Sequence, residues 1–272
     1  MKEINKVDLT VIVPVHSVKD ENFKMYLDSA LKSINANTIK PEKVLIVRCP
    51  CIEVKTELNE FDFSGYDLNI EVVENNTGKS LQNQINYGVS ITTTKYFEFL
   101  EFDDEVSVSW LKNVDTYSKL YPDVKMFLPI ISDITDAGGF IGYTNEAAWA
   151  NGFSERLGFL DLETLLEFPN INLSGMVVDV EAFKAIGGYK PSIKLTFNYE
   201  LLLRALSNSK TVMVIPKIGY LHRNMRPGSL FWDYKNGETK LTSEEAQFWM
   251  EIAKKEFYFI EDRNISYAQK II

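Results

Sequence analysis

Tyr96-Phe97-Glu98-Phe99-Leu100-Glu101-Phe102-Asp103-Asp104-Glu105 decides how the rest of the chain is read. An apolar, aromatic run suited to a buried strand ends in four acidic residues out of five. Carboxylates at a strand's carboxyl end lie where open α/β sheets place their ligands. Hard oxygen donors there suit Mg²⁺ or Mn²⁺ and leave positions open for a substrate phosphate. Taken alone, a solvated acidic turn is the simpler reading. The flanking sequence shifts that balance.

Working outward, Leu9 to Val15 is β-branched and nearly all apolar, as expected of a strand buried on both faces. Phe23, Tyr26, Leu27, Ala30, Leu31 and Ile34 follow at helical spacing. Lys43 to Arg48 and Leu68 to Val73 read as further strands, and Leu81, Ile85 and Val89 as one helix face before the strand Lys95 to Leu100. Strand alternating with helix predicts an α/β fold with a mostly parallel sheet flanked by helices. Beyond the acidic cluster come a helix through Trp110, Leu111, Val114 and Tyr117 and a strand at Lys125 to Ile131. An irregular stretch then runs to about Asn170; within it Trp149 and Phe153 read as packing residues rather than stacking platforms. Asp179 is placed to cap a short helix ending at Gly187-Gly188. Tyr199 to Leu206 is helical, Thr211 to Pro216 a strand, and Thr242-Ser243-Glu244-Glu245 a capping box opening a C-terminal helix.

The 272 residues suffice for one substantial core, and 45% hydrophobic with 12% aromatic content is that of a folded chain. A net charge of −9 argues against broad binding to nucleic acid or an anionic membrane. Lys217, His222, Arg223 and Arg226, leading into Pro227-Gly228-Ser229, form the best local basic patch. No apolar run approaches the ~20 residues of a spanning helix. Cys49 and Cys51 stand too close for an ordinary disulfide, so free thiols and a cytoplasmic protein are expected.

Four segments in order carry a resemblance. They are Val11-Ile12-Val13-Pro14-Val15-His16; Asn76-Thr77-Gly78 before a helix with Asn86-Tyr87-Gly88; Phe99 to Asp104; and Ala185-Ile186-Gly187-Gly188-Tyr189 followed by Tyr199-Glu200-Leu201-Leu202-Leu203-Arg204. Together they resemble the family-2 type of glycosyltransferase with the A-type (GT-A, Rossmann-like) nucleotide-sugar-binding fold, over roughly residues 9 to 230. The resemblance places the domain at residues 1–232 and does not account for the rest; the capping box and the helical spacing after it predict a C-terminal helical extension over 233–272 packed on that domain. It also implies an inverting, metal-dependent transfer from a UDP- or GDP-type sugar donor to a hydroxyl acceptor, with Mn²⁺ or Mg²⁺ as cofactor. By position, Asp103 matches the metal- and diphosphate-binding Asp, Glu101 the first acidic position, and Asp104 the Asp that often follows. Pro14, Val15 and His16 match the nucleobase-pocket turn, and Asn86 is carried over to nucleotide-sugar binding. His222-Arg223 matches a late segment closing over the diphosphate, with His222 an imidazole ligand to the metal and Arg223 a phosphate partner.

Two departures qualify that inference. The usual acidic stretch after the second strand is here Val47-Arg48-Cys49-Pro50-Cys51, and the usual base position is Asn198, which cannot take a proton. Glu200 is therefore the expected base. The competing expectation is a relative of this fold that has lost turnover and binds a glycan, nucleotide or protein partner. A nucleotidyltransferase ranks last, since His16 to Asp20 lacks the glycines of a phosphate loop.

Overall fold

A computed structural model describes residues 5–18, 21–224, 226, 229, 232 and 242–263. Pro227, Gly228 and most of the segment between residues 230 and 241 lie outside the described residues. The first half alternates strand and helix as its periodicity dictates. It runs β1 (Lys6–Val15), α1 (Phe23–Asn35), β2 (Lys40–Arg48), α2 (Ile52–Asn59), β3 (Ile70–Glu74), α3 (Leu81–Ile91) and β4 (Tyr96–Phe99). The second half holds β5 (Glu105–Val106), α4 (Trp110–Leu120), β6 (Val124–Ile134), β7 (Phe140–Thr144), α5 (Leu162–Glu167), β8 (Val177–Asp179) and α6 (Val180–Ala185). It closes with α7 (Phe197–Ser207), β9 (Thr211–Arg223) and α8 (Ser243–Glu256).

The described strands form one sheet in the order β3-β2-β1-β4-β8-β6-β9-β5, with β7 off this path, paired to residues 131–134 of β6. β3, β2, β1 and β4 are parallel, as are β6 and β9. β8 enters antiparallel to both β4 and β6, and β5 and β7 are antiparallel edges. The fold is thus α/β with helices on both faces. Successive residues of β1 serve opposite cores, because strand side chains alternate. Ile12 faces α3 and α7, whereas Val11 and Val13 face α1 and α4.

Local signals end the elements where they were legible. Asp179 accepts the Ala182 N–H at 2.9 Å and caps α6, and Thr242 accepts the Glu245 N–H at 3.0 Å and caps α8. α8 packs on the same body: Trp249, Ala253 and Phe257 are buried in the core shared with α7, and the Thr196 hydroxyl donates to the Trp249 carbonyl at 2.7 Å. The 14 residues of this helix bury few side chains, so its attachment depends on those three.

One expectation about the cysteines is overturned. Cys49 and Cys51 are joined in a disulfide across Pro50, with Cα atoms 5.3 Å apart. Residues i and i+2 of an extended segment project to one side, which brings two thiols within bonding range despite the short loop. The argument for a cytoplasmic protein rested on free thiols and falls with them. Among the described residues no helix is long and apolar enough to cross a membrane.

Candidate active site

All four residues of β4 are buried, and the chain turns immediately after it, with the Asp104 N–H donating to the Glu101 carbonyl at 3.1 Å. This turn splays the acidic residues apart. Asp103 swings to one side, where its Oδ2 accepts Arg226 Nε at 2.5 Å. Glu101 and Asp104 go to the other. The next two residues form β5, which pairs antiparallel with the end of β9, Glu105 opposite Leu221 and Val106 opposite Tyr220. β5 is itself held by the Ser33 hydroxyl, which accepts the Val106 N–H at 3.0 Å.

That edge pairing draws residues 118 apart in sequence together. His222 Nδ1 sits 3.0 Å from Asp104 Oδ2, and the Arg223 N–H donates to Asp104 Oδ1 at 2.7 Å. The Tyr220 hydroxyl accepts the Glu101 N–H at 3.1 Å. Glu101, Asp104 and His222 present one ligand atom each within 4.8 Å of one another. The Ser174 hydroxyl donates to Glu101 Oε1 at 3.2 Å. Gly175 makes this approach possible: its φ is +72°, and a Cβ there would collide with the Tyr220 ring.

The electrostatics follow from crowding acids in a dry place. Burial, then the charges of Asp104 and Asp103, push Glu101 up to about 8. Burial and the Asp104 charge likewise raise Asp103, against the pull of Arg226. Burial opposes the charged imidazole of His222, but Asp104, Glu101 and Asp133 overcome it and hold the ring protonated up to about 10. A cluster with this much negative charge gains from a cation in its midst.

Beside the cluster opens a cavity of about 280 Å³. Glu101, Asp103 and His222 border it on one side, and Asn172, Ser174, Asn198 and the apolar Leu81, Leu195 and Phe197 elsewhere. Asn198 Oδ1 accepts the Tyr189 hydroxyl at 2.7 Å.

Several expected roles are corrected here. Glu200 is not placed to act as a base: it is 1% exposed, clamped by Arg204 Nε and Nη2 at 2.8 and 2.7 Å and by Lys190 Nζ at 2.9 Å. Glu200 is not among the residues that border the cavity, and it stands two positions on from Asn198, on the opposite side of α7. Asn86 is not among the residues bordering the cavity. Its amide exchanges two 2.8 Å bonds with the backbone of Tyr189, pinning α3 to the Gly187-Gly188 turn, where Gly188 has φ +66°. Asp103 borders the cavity, but Arg226 occupies its carboxylate, and Glu101 takes its place beside Asp104 and His222. Arg223 borders the cavity too, yet its guanidinium is engaged by Glu105 Oε1 at 2.6 Å and the Asp136 carbonyl at 2.8 Å. Pro14 and Val15 are buried within β1 and His16 follows it; none of the three borders the cavity. Trp149 packs in the core, donating Nε1 to the Val214 carbonyl at 3.0 Å.

Residues the sequence reading passed over are Asn172 and Ser174. Small polar residues and a glycine immediately before the apolar run Met176-Val177-Val178 are a turn signal, and that signal marks the segment bordering the cavity.

No protein-family model matches this sequence, and no curated protein sequence matches it either. Solved structures do match. S. aureus TarS residues 1–349 superposes with a TM-score of 0.55 at 15% identity, over 97% of this chain and 73% of that one. The same protein in complex with UDP matches with TM-score 0.55 at 15% identity over 96% and 75%. Its complex with UDP-GlcNAc gives 0.54 at 14% over 97% and 74%. Against full-length TarS the chain spans 45%. At this identity the likeness establishes the fold, a GT-A-type glycosyltransferase fold.

Proposed function

We propose that this chain transfers a sugar from a nucleotide-diphosphate sugar to an acceptor oxygen, with inversion at the anomeric carbon. The observation that carries the reading is the convergence of Glu101, Asp104 and His222 at the carboxyl edge of β4, beside a cavity of ligand-accepting size. The fold shared with a protein crystallised with UDP and UDP-GlcNAc supports the donor class.

Two carboxylates and an imidazole are a donor set that suits Mn²⁺ or Mg²⁺ once the ion displaces the protons that Glu101 and His222 otherwise hold. A divalent cation held by Glu101, Asp104 and His222 would neutralise charge growing on the departing diphosphate. Around it, Ser174 orients Glu101, the Arg223 N–H orients Asp104, and Arg226 holds Asp103 at the cavity wall. Asn198 offers an amide to the substrate rather than a base.

The test is a thermal-shift panel of UDP, GDP and their sugars, with and without Mn²⁺. Stabilisation by nucleotide plus Mn²⁺ that disappears in Asp104→Asn supports the assignment; an equal shift in that variant removes it. A second reading, a binding protein without turnover, is favoured by Asn198 and by the burial of Glu200. It prevails if nucleotide binds and no donor sugar is ever consumed.

A further inference from the structure

We infer that the Cys49–Cys51 disulfide is a thiol–disulfide exchange site, opened by an external thiol at Cys51 and reclosed by Cys49, and not a bond that holds the fold. The inference is independent of the donor reading above. A disulfide stabilises mainly by restricting the unfolded chain, and does so least when the loop it closes is shortest. Here the bonded residues are two positions apart, with Pro50 alone between them. The backbone around them is held by other bonds. The Cys49 N–H donates to the Val15 carbonyl at 3.1 Å and so prolongs the pairing of β1 with β2. The Cys49 carbonyl accepts Arg48 Nη1 at 3.2 Å, and Arg48 is itself paired with Glu74 at the end of β3. On the other side, the Cys51 carbonyl accepts the Lys55 N–H at 3.0 Å in the first turn of α2. Opening the S–S bond breaks none of these.

The two sulfurs differ in access, and each has a place when reduced. Cys49 is fully buried, and its sulfur lies 3.6 Å from the His16 carbonyl, an acceptor for the thiol proton once the bond is open. Cys51 is half-buried between the exposed Pro50 and Ile52. It is the N-cap of α2, where its side chain makes no capping bond while tied to Cys49. Once released, that sulfur stands at a helix N-terminus, which favours a thiolate. An attacking thiol therefore reaches Cys51, and the buried sulfur is the one expelled.

The step balances with a dithiol as reductant. One of its sulfurs, as thiolate, bonds to the Cys51 sulfur while the Cys49–Cys51 bond breaks. The Cys49 sulfur leaves with the electron pair and takes a proton. The second thiolate of the reductant then attacks its own sulfur in the mixed disulfide and releases Cys51. The dithiol ends as a disulfide, oxidised by two electrons, and the cysteine pair ends as two thiols. Two molecules of a monothiol can share the same role. The reverse sequence, with a disulfide as oxidant, recloses the ring.

The experiment uses the full chain, purified without reductant. Dithiothreitol, glutathione and a protein dithiol of the Cys-x-x-Cys class are offered to it under native conditions and in urea. Thiols are followed by maleimide labelling and mass. Reduction of the folded protein is expected within about tenfold of the rate in urea, since access and not unfolding limits it. Reaction with glutathione alone or with the protein dithiol alone supports the inference and identifies the source. The reduced protein is expected to keep its melting temperature within a few degrees and to reclose the bond with oxidised glutathione. Single variants fix the direction of attack. Cys49→Ser is expected to form a mixed disulfide with oxidised glutathione at least about tenfold faster than Cys51→Ser. Reduction only on unfolding, equal reactivity of the two variants, or loss of the folded state once the bond opens overturns the inference. Two thiols in the untreated protein that oxidised glutathione fails to join overturn it as well.

Discussion

His222 Nδ1 lies 3.0 Å from Asp104 Oδ2 because β5, two residues long, pairs antiparallel with the end of β9. The pair belongs to no single sequence segment. It welds the turn after β4 to the far edge of the sheet, and the Asp104 charge, helped by Glu101 and Asp133, overcomes burial and makes it an ion pair. A histidine whose folded value is raised stabilises fully below its unfolded value of 6.5 and loses that contribution as pH climbs toward about 10. With chelator present, melting temperature is therefore expected to fall between pH 7 and 10, and His222→Gln to flatten that fall. A wild-type profile level across this range would exclude the pairing.

Glu200 separates structure from catalysis. Glu200→Gln leaves Lys190 and Arg204 as buried cations with an amide in place of a carboxylate, a change expected to cost about 3–5 kcal/mol. Urea unfolding measures that loss. Sugar transfer per mole of folded protein is expected to stay at the wild-type level, which a true base could not permit.

Glu98 supplies a pH test away from the cavity. It is wholly buried, burial lifts it to about 8 against the 2.9 Å bond from Trp110 Nε1, and its second oxygen has no partner among the described residues. The folded state holds this proton where the unfolded chain releases it, so stability declines as pH rises from 4.5 to about 8. At pH 7 the cost is on the order of 3 kcal/mol. Glu98→Gln is expected to gain stability at pH 8 and little at pH 5, read as the difference between two denaturant midpoints.

Arg226 reaches back 123 residues to Asp103 and lies 5.4 Å from the ring centres of Tyr26 and Phe102. Arg226→Met keeps much of the apolar contact and strands a buried carboxylate, with an expected loss of about 3 kcal/mol. Arg226→Lys is expected to recover only part of it, because an ammonium lacks the planar fork. If the two variants unfold at the same denaturant concentration, the charge does not hold this corner together.

The sequence by itself determined the framework: strands β1 to β4 with helices α1 and α3, the caps at Asp179 and Thr242, and an acidic cluster at a strand's carboxyl end. These are properties of hydrophobic period and turn chemistry, which act over a few residues. The short strands β5 and β8 were not legible, because two- and three-residue strands carry almost no period and exist only through their neighbours. Tertiary structure alone decided which acids meet. Glu101 rather than Asp103 joins Asp104 and His222, Glu200 turns into the core, and two cysteines bond across a proline. Each depends on the direction a side chain leaves a turn or helix and on partners up to 123 residues away, and no local pattern encodes such directions.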